Sequence, residues 1–204
     1  IQRNTEEGSP SWEKLDKILI LSNNAAIIAR ELLAFSRKQR VELAPLGLND
    51  IVKSTGKLLK DFIGEDVAFN VRLSDKSPVI MADRHQMEQV IINLATNARD
   101  AMPGGGRLSI ETDLAEINPD FIKTHGFGSP GMYALLSVAD TGTGIDAETR
   151  KKVFEPFFTT KEVGKGTGLG LSIVYGIIKN LKGEIIVSSR PGKGAAFTIY
   201  LPKA

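Results

Sequence analysis

Apolar and polar positions follow two different periods along this chain. From about Trp12 to Arg40 there is no Gly or Pro, and Leu15, Ile18, Leu19, Ala25, Ala26, Ala29, Leu32 and Leu33 recur at three- and four-residue steps. That spacing predicts one long helix with a single apolar stripe, whose small alanines suit packing against a partner helix. Residues 1–11 carry Gly8, Ser9 and Pro10 and read as a loop or frayed end, and Val41–Gly47, with Pro45, reads as a linker.

Beyond the linker, helical and strand periods are mixed. Asn49 can cap a helix running to about Ile63. Val67, Phe69, Val71 and Leu73 alternate as in a half-buried strand, and Val79–Met81 reads as a short second strand. Asp83 begins a helix that runs to Met102 and stops at Pro103 and three glycines. Arg107–Thr112 and Tyr133–Asp140 read as strands, separated by a polar loop holding Pro119, Gly126, Gly128 and Pro130. Short helices are expected at Ala147–Val153 and Leu169–Leu181, then strands at Glu184–Ser189 and Ala196–Leu201 joined by an Arg190-Pro191-Gly192 turn. The pattern predicts an α+β sandwich, a mixed or antiparallel sheet with helices on one face.

Composition narrows the function classes. The chain has 204 residues and a net charge of +2, with 26 Lys and Arg against 24 Asp and Glu dispersed along it, so no basic stripe points to nucleic acid. There is no cysteine, which excludes disulfides and thiolate metal sites and fits a reducing compartment. No apolar run reaches membrane-spanning length. The chain begins at Ile1 and reads as a piece of a longer protein.

Three features carry candidate chemistry. The run Gly164-Lys165-Gly166-Thr167-Gly168-Leu169-Gly170-Leu171 lets backbone N–H groups approach an anion just ahead of a helix N-terminus, with Lys161 and Lys165 adding charge. It is not a Walker A loop, which needs Gly-Lys-Ser or Gly-Lys-Thr, and its glycine spacing does not fit a dinucleotide fingerprint. On the helix 85–102, a core stripe of Met87, Val90, Ile91, Leu94, Ala98 and Ala101 runs beside a second stripe of Gln86, Gln89, Asn93, Asn97 and Asp100. Amides beside an apolar stripe suggest a lined cleft, and an Asn oxygen can ligate Mg²⁺. Asp140 ends a strand and is followed by Thr-Gly142-Thr-Gly144-Ile145. A carboxylate there can accept a hydrogen bond from an exocyclic amine, or simply start a turn.

Taken in order, Asn93-Leu-Ala-Thr-Asn97, Asp140-Thr-Gly142-Thr-Gly144, Phe154-Glu-Pro-Phe157-Phe158 and Gly166-Thr-Gly168-Leu-Gly170-Leu171 resemble the N, G1, F and G2 boxes of sensor histidine kinases. The resemblance covers about residues 12–202 and extends to the gyrase, heat-shock chaperone, histidine kinase and MutL superfamily with its Bergerat fold. The wording Asn97-Ala-Arg-Asp-Ala-Met102 and Phe157-Phe158-Thr159-Thr160-Lys161 is most similar to nitrogen-regulator-like and hybrid kinases. The resemblance implies residues 1–45 as the second helix of a dimerisation hairpin with its linker, and residues 46–204 as the ATP-binding domain. It implies that Asp140 binds the adenine amine, and that Gly142, Gly144 and Ile145 shape the base pocket. Asn97 would ligate Mg²⁺, with Asn93 near the phosphates. About Glu155 to Thr167 would form a mobile ATP lid, anchored by Phe154, Phe157 and Phe158. Gly166, Thr167, Gly168, Leu169 and Gly170 would hold the phosphates, and Asp100, Lys161, Lys165, Leu171 and Thr198 complete the expected ATP-binding set. The implied partners are a response-regulator receiver domain and the protein's own dimerisation and phosphotransfer domain. The full-length protein would be a homodimer. The implied setting is cytoplasmic for this domain, within a protein that can be membrane-anchored.

Two departures refine that expectation. Asn93 stands where ATPase branches of the superfamily place a water-activating Glu, and an amide is no general base. Glu88 is about half a helical turn out of phase with that position. The site should therefore hold ATP without fast hydrolysis, although an ATPase or a non-kinase ATP-dependent module stands as the alternative. The two histidines, His85 and His125, do not resemble a phosphoacceptor, so this chain is expected to be unable to phosphorylate itself. Ala195, where the family often has Thr, is a lesser departure.

Overall fold

The computed structural model describes residues 41–162 and 166–204, together with positions 9, 12, 14 and 15. The expected helix over 12–40 therefore lies, but for three of its positions, outside the described residues.

The segment expected to be a linker ends in a strand. Ala44–Gly47 (β1) pairs antiparallel with Val79–Ala82 (β3), Ala44 opposite Ala82 and Gly47 opposite Val79. Pro45 is tolerated because the ladder has only two strands, so its missing N–H faces no third strand. Helix α1 (Leu48–Ile63) follows at once. Asn49 is not its cap: Gly47 holds that place without a side-chain bond, and Asn49 is buried in the first turn. Its Nδ2 donates to the Ser74 carbonyl (2.8 Å), and its Oδ1 accepts from the Thr112 hydroxyl (2.6 Å), which itself accepts from the Ser74 N–H (3.0 Å). A polar residue that could have closed a helix end instead ties three segments together.

The main sheet has five strands: β2 (Val67–Arg72), β4 (Gly106–Ile117), β5 (Gly131–Asp140), β6 (Glu184–Ser189) and β7 (Ala195–Pro202). Their spatial order is β2-β4-β5-β7-β6; β2 and β4 run parallel and the other pairs antiparallel. The parallel pair requires a crossover, which β3 and helix α2 (Arg84–Asp100) supply. Alternation sets one face inward: Leu108 and Ile110 on β4, Ala134, Leu136 and Val138 on β5, Phe197, Ile199 and Leu201 on β7 are all buried. Helices α1, α2 and α5 (Gly170–Asn180) close over that face, with Ile51, Met87, Ile91, Leu94, Val174 and Ile178 in one continuous core. This is the α+β arrangement that the hydrophobic pattern predicts.

Two short helices complete the order. Ala147–Lys152 (α4) is capped by Asp146, which accepts from the N–H groups of Glu148 and Thr149. Those bonds, with the Thr149 hydroxyl, hold its carboxyl below the usual range. The loop expected between β4 and β5 contains a helix instead, Pro119–His125 (α3), capped by Asn118 and ended by a left-handed Gly126. Phe121 of α3 packs edge-on to Tyr200, whose parity on β7 is opposite to that of the core residues. So α3 lies on the other face of the sheet.

Candidate functional site

A cavity of about 450 Å³ opens beside α2, bounded by the loop after β5, by Val153 with residues 158–161 and 166–168, and by the start of α5. Each wall follows from a local sequence feature. Asp83 caps α2 by accepting from the Gln86 N–H (3.1 Å). The buried stripe of α2 fixes its rotation, so the neighbouring stripe of Asn93, Asn97 and Asp100 faces the cavity, with Thr96 beside it. The Asn93 amide nitrogen donates to the Gly170 carbonyl (3.3 Å), which joins α2 to the first residue of α5.

Asp140 stands at the end of β5. Its Oδ1 accepts from the Gly142 N–H (2.8 Å) and the Ala195 N–H (3.2 Å). No described residue bonds Oδ2. Burial pushes the carboxyl above its ordinary pKa, and the two N–H bonds only partly oppose that. The loop after it is pinned to the β6–β7 turn. Gly192 donates to Thr143, Gly194 donates to Gly142, and the Ile145 N–H donates to Ser189 Oγ, which donates to the Gly194 carbonyl. This wall is rigid.

The opposite wall is formed by residues 158–161 and 166–168. The Phe157 N–H donates to the Gly168 carbonyl (3.0 Å), clasping the two ends of the intervening segment. Both clasp residues have positive φ, 66° at Phe157 and 69° at Gly168. A Cβ on Gly168 would lie 2.4 Å from the Phe157 carbonyl carbon, so only glycine fits. Past the clasp α5 begins without a side-chain cap, and Gly170 and Leu171 line the cavity, leaving first-turn N–H groups free for an anion. On this wall, Lys161 Nζ lies 2.6 Å from Asp100 Oδ2 and 3.4 Å from Asn97 Oδ1. Arg99 donates to Asp100 Oδ1. Burial alone would raise the Asp100 pKa, but Lys161 and Arg99 outweigh it and hold the carboxyl below its ordinary value.

Of the residues expected from sequence, Asn93, Asn97, Asp100, Asp140, Gly144, Ile145, Lys161, Gly166, Thr167, Gly168, Gly170 and Leu171 line this cavity. Gly142 and Leu169 lie just behind the lining, the first bonded to Asp140 and the second buried. Phe154 packs against Tyr175, ring centroids 5.1 Å apart, and not into the cavity. Thr198 is displaced by strand parity: its neighbour Phe197 lines the cavity, so Thr198 faces the far side of the sheet. Lys165 and Gly164 lie outside the described residues. Sequence reasoning missed Thr143, Thr149, Val153, Ala195 and Phe197 as lining residues. The alternation of β7 carried a signal for the last two, but not which face the helices cover. His85 sits 3.6 Å from Glu88 near the start of α2, and His125 stacks on Phe121; neither lines the cavity.

Among the described residues no cluster of three or more His, Cys, Asp or Glu could hold a metal on its own. Asn97 Oδ1 and Asp100 Oδ2 nevertheless already draw an ammonium group. Two hard oxygens suit Mg²⁺, which takes few protein ligands and completes its shell with water and substrate phosphates.

Residues 82–204 match the family model described as histidine kinase-, DNA gyrase B-, and HSP90-like ATPase. Sensor kinase CckA of Brucella abortus (strain 2308) is 45% identical over 98% of this chain, which spans 21% of that protein. Signal transduction histidine-protein kinase AtoS of Escherichia coli (strain K12) is 35% identical over 86% of this chain, the match covering 26% of that protein. The chain thus spans about a quarter or less of these two relatives. The nucleotide-free catalytic domain of histidine kinase ThkA aligns with a TM-score of 0.64 at 30% identity, over 79% of this chain and 96% of that one.

Proposed function

The chain belongs to the histidine kinase-, DNA gyrase B-, and HSP90-like ATPase family, and on that premise we propose that it is the ATP-binding catalytic part of a sensor histidine kinase. The observation that carries the reading is the convergence on one cavity of three complementary features. These are a carboxylate oxygen on Asp140 without a partner among the described residues, a cation-attracting pair on Asn97 and Asp100, and the N-terminus of α5 without a side-chain cap. Adenine asks for the first, and the phosphates with their divalent cation ask for the other two. Asp140 Oδ2 accepts the adenine amine, while Ile145 and Phe197 give the base an apolar wall. Gly168, Gly170 and the first turn of α5 receive the phosphates. Mg²⁺, when bound at Asn97, offsets charge between the phosphates.

The chemistry is transfer of the γ-phosphoryl group to a histidine brought by a dimerisation domain. The bond to the bridging oxygen of ADP breaks, and a phosphorus–nitrogen bond forms on the imidazole. The chain contributes position and charge neutralisation. A hydrolase is disfavoured because the lining carboxylates are Asp100 and Asp140 alone among the described residues. Asp100 is engaged by Lys161 and Arg99, which hold its carboxyl below the ordinary range, and Glu88 does not line the cavity. The relay onward to a response-regulator receiver domain belongs to the same proposal. A solved complex of histidine kinase ThkA with the response regulator protein TrrA shares the fold of this chain, at 24% identity with a TM-score of 0.71. Among the described residues no helix is long and apolar enough to cross a membrane.

The deciding experiment mixes this chain, labelled ATP and Mg²⁺ with a separate histidine-bearing dimerisation domain. Acid-labile phosphate should appear on that domain and not on this chain. Absence of transfer despite tight ATP binding overturns the kinase reading, and brisk steady-state hydrolysis by the chain alone replaces it with the ATPase.

A further inference from the structure

Arg99 and Asp100 are neighbours on α2, and neighbouring side chains on a helix point about 100° apart and do not face each other. Yet Arg99 donates twice to Asp100 Oδ1, from Nη2 at 3.0 Å and from Nε at 3.3 Å. The reason lies on α1. The Arg99 guanidinium sits over the Phe62 ring, its Cζ 4.6 Å from the centroid, and its Nη1 reaches the Phe62 carbonyl at 3.5 Å. That carbonyl belongs to the last turn of α1, where carbonyls lack a partner within the helix. Ring and carbonyl hold the planar group against the end of α1, and its remaining edge turns back onto Asp100. Neither Arg99 nor Phe62 lines the cavity, whereas Asp100 does. With Oδ1 taken by Arg99, Oδ2 is the oxygen left for a cation. The Lys161 ammonium, 2.6 Å from Oδ2 and 3.4 Å from Asn97 Oδ1, shows that the two oxygens can serve one cation.

We propose that Arg99 is a positioning residue for the divalent-cation site: held by Phe62, it fixes the Asp100 carboxylate so that Oδ2 stands beside Asn97 Oδ1. The inference rests on the ATP reading for the cation, but not for the geometry. Arg99 also has a plain structural role, as a basic side chain in the last turn of α2 that suits the helix dipole. A lysine fills that role equally well. It cannot lie flat on a ring while two donors grip one oxygen, so substitution separates the two roles. Charge has to be kept constant. Removing the positive charge would strengthen the pull of Asp100 on a cation while loosening its position, two effects of opposite sign. The informative variants are therefore Arg99→Lys and Phe62→Leu. The second leaves Arg99 intact and acts at a ring that is 55% exposed and outside the core, so the fold is kept.

The test begins without nucleotide. Three-bond NMR couplings from Asp100 Cγ to its backbone nitrogen and carbonyl carbon report whether its side chain keeps one rotamer. The unmodified chain should show a single rotamer, and both variants should show averaging. One fixed rotamer in both variants overturns the inference whatever the chain binds. The second readout is the affinity for a fluorescent ATP analogue, taken with saturating Mg²⁺ and again with a chelator. Each variant should reduce the gain that Mg²⁺ brings by roughly two- to five-fold, the range that a partly exposed cation–π contact or ion pair supports. Affinity in the chelator should not change. The double variant should be no weaker than Arg99→Lys alone, since Phe62 acts through Arg99. Equal losses with and without Mg²⁺, or a Mg²⁺ gain that neither variant moves, leave Arg99 as a helix-end cation and overturn the inference. Failure of the unmodified chain to bind the analogue counts against the ATP reading, and the couplings then decide the positioning by themselves.

Discussion

Asp140 shows how one side chain can be placed for binding at a cost to folding. Both N–H bonds fall on its Oδ1, and burial lifts its pKa above the ordinary aspartate value. The sign follows directly. Between the ordinary value and the raised native value, the folded chain holds more protons than the unfolded one, so stability falls as pH rises through that window. At neutral pH the ionised carboxylate is a standing penalty. Asp140→Asn keeps an oxygen for Gly142 and Ala195 but turns a donor toward the cavity. The variant should melt higher than the unmodified chain at pH 7, and the gap should close as the pH is lowered through the window. ATP affinity should fall by roughly 10–100-fold, as expected for loss of a hydrogen bond to a charged group. Calorimetry with and without nucleotide reads both, and a variant that melts lower at pH 7 overturns this account. The Asp140 carboxylate is legible in sequence because it closes a strand ahead of glycines. Thr198 is misplaced by sequence because alternation gives the two faces of β7 without saying which the helices cover.

Among the elements, the clasp of Phe157 on Gly168 is tightly constrained, with both residues at positive φ. Alanine at Gly168 would carry about 1–2 kcal/mol of left-handed backbone strain and push a methyl group into the Phe157 carbonyl. The clasp would open to relieve it. Nucleotide affinity should drop by roughly ten-fold, while the melting temperature of the apo chain changes little, because the buried core does not include Gly168. Titration of Gly168→Ala with ATP, beside a thermal melt, checks both halves, and unchanged affinity would mean that the phosphates sit elsewhere. The other elements differ in how far sequence announces them. Helix α2 is legible from its cap, its stripe and its glycine stop. Helix α3 is hidden by Pro119, Gly126 and Gly128, which read as a loop, although Asn118 before a first-turn proline and glycine just past the end are start and stop signals. Strand β1 is hidden because Pro45 suits a linker as well as a two-stranded edge, and its partner lies 32 or more residues away.

For the whole molecule, two devices hold α1 and the sheet in one body. One is the apolar core, and the other is the bond set of Asn49, Ser74 and Thr112. Thr112→Val preserves shape but strands the Asn49 oxygen and the Ser74 N–H. An unpaired buried group costs about 1–3 kcal/mol, so the melting midpoint should fall by roughly 2–10 °C. ATP affinity should hold, since none of the three residues lines the cavity. A calorimetric scan with a parallel ATP titration measures this, and an unchanged midpoint would mean that the bonds are replaced by water. The sheet order has a consequence for synthesis. Strand β7 inserts between β5 and β6, although it is the last of the three to be made. Its Ala195 N–H completes the bonding of Asp140 across 55 residues. A nascent chain emerging from the ribosome therefore carries an unpaired β5 edge, with β6 not yet joined to the sheet, until β7 is out. Nucleotide can reward only the finished fold, never the partly made one, and a chaperone that shields the β5 edge would have to let go before ATP could take hold.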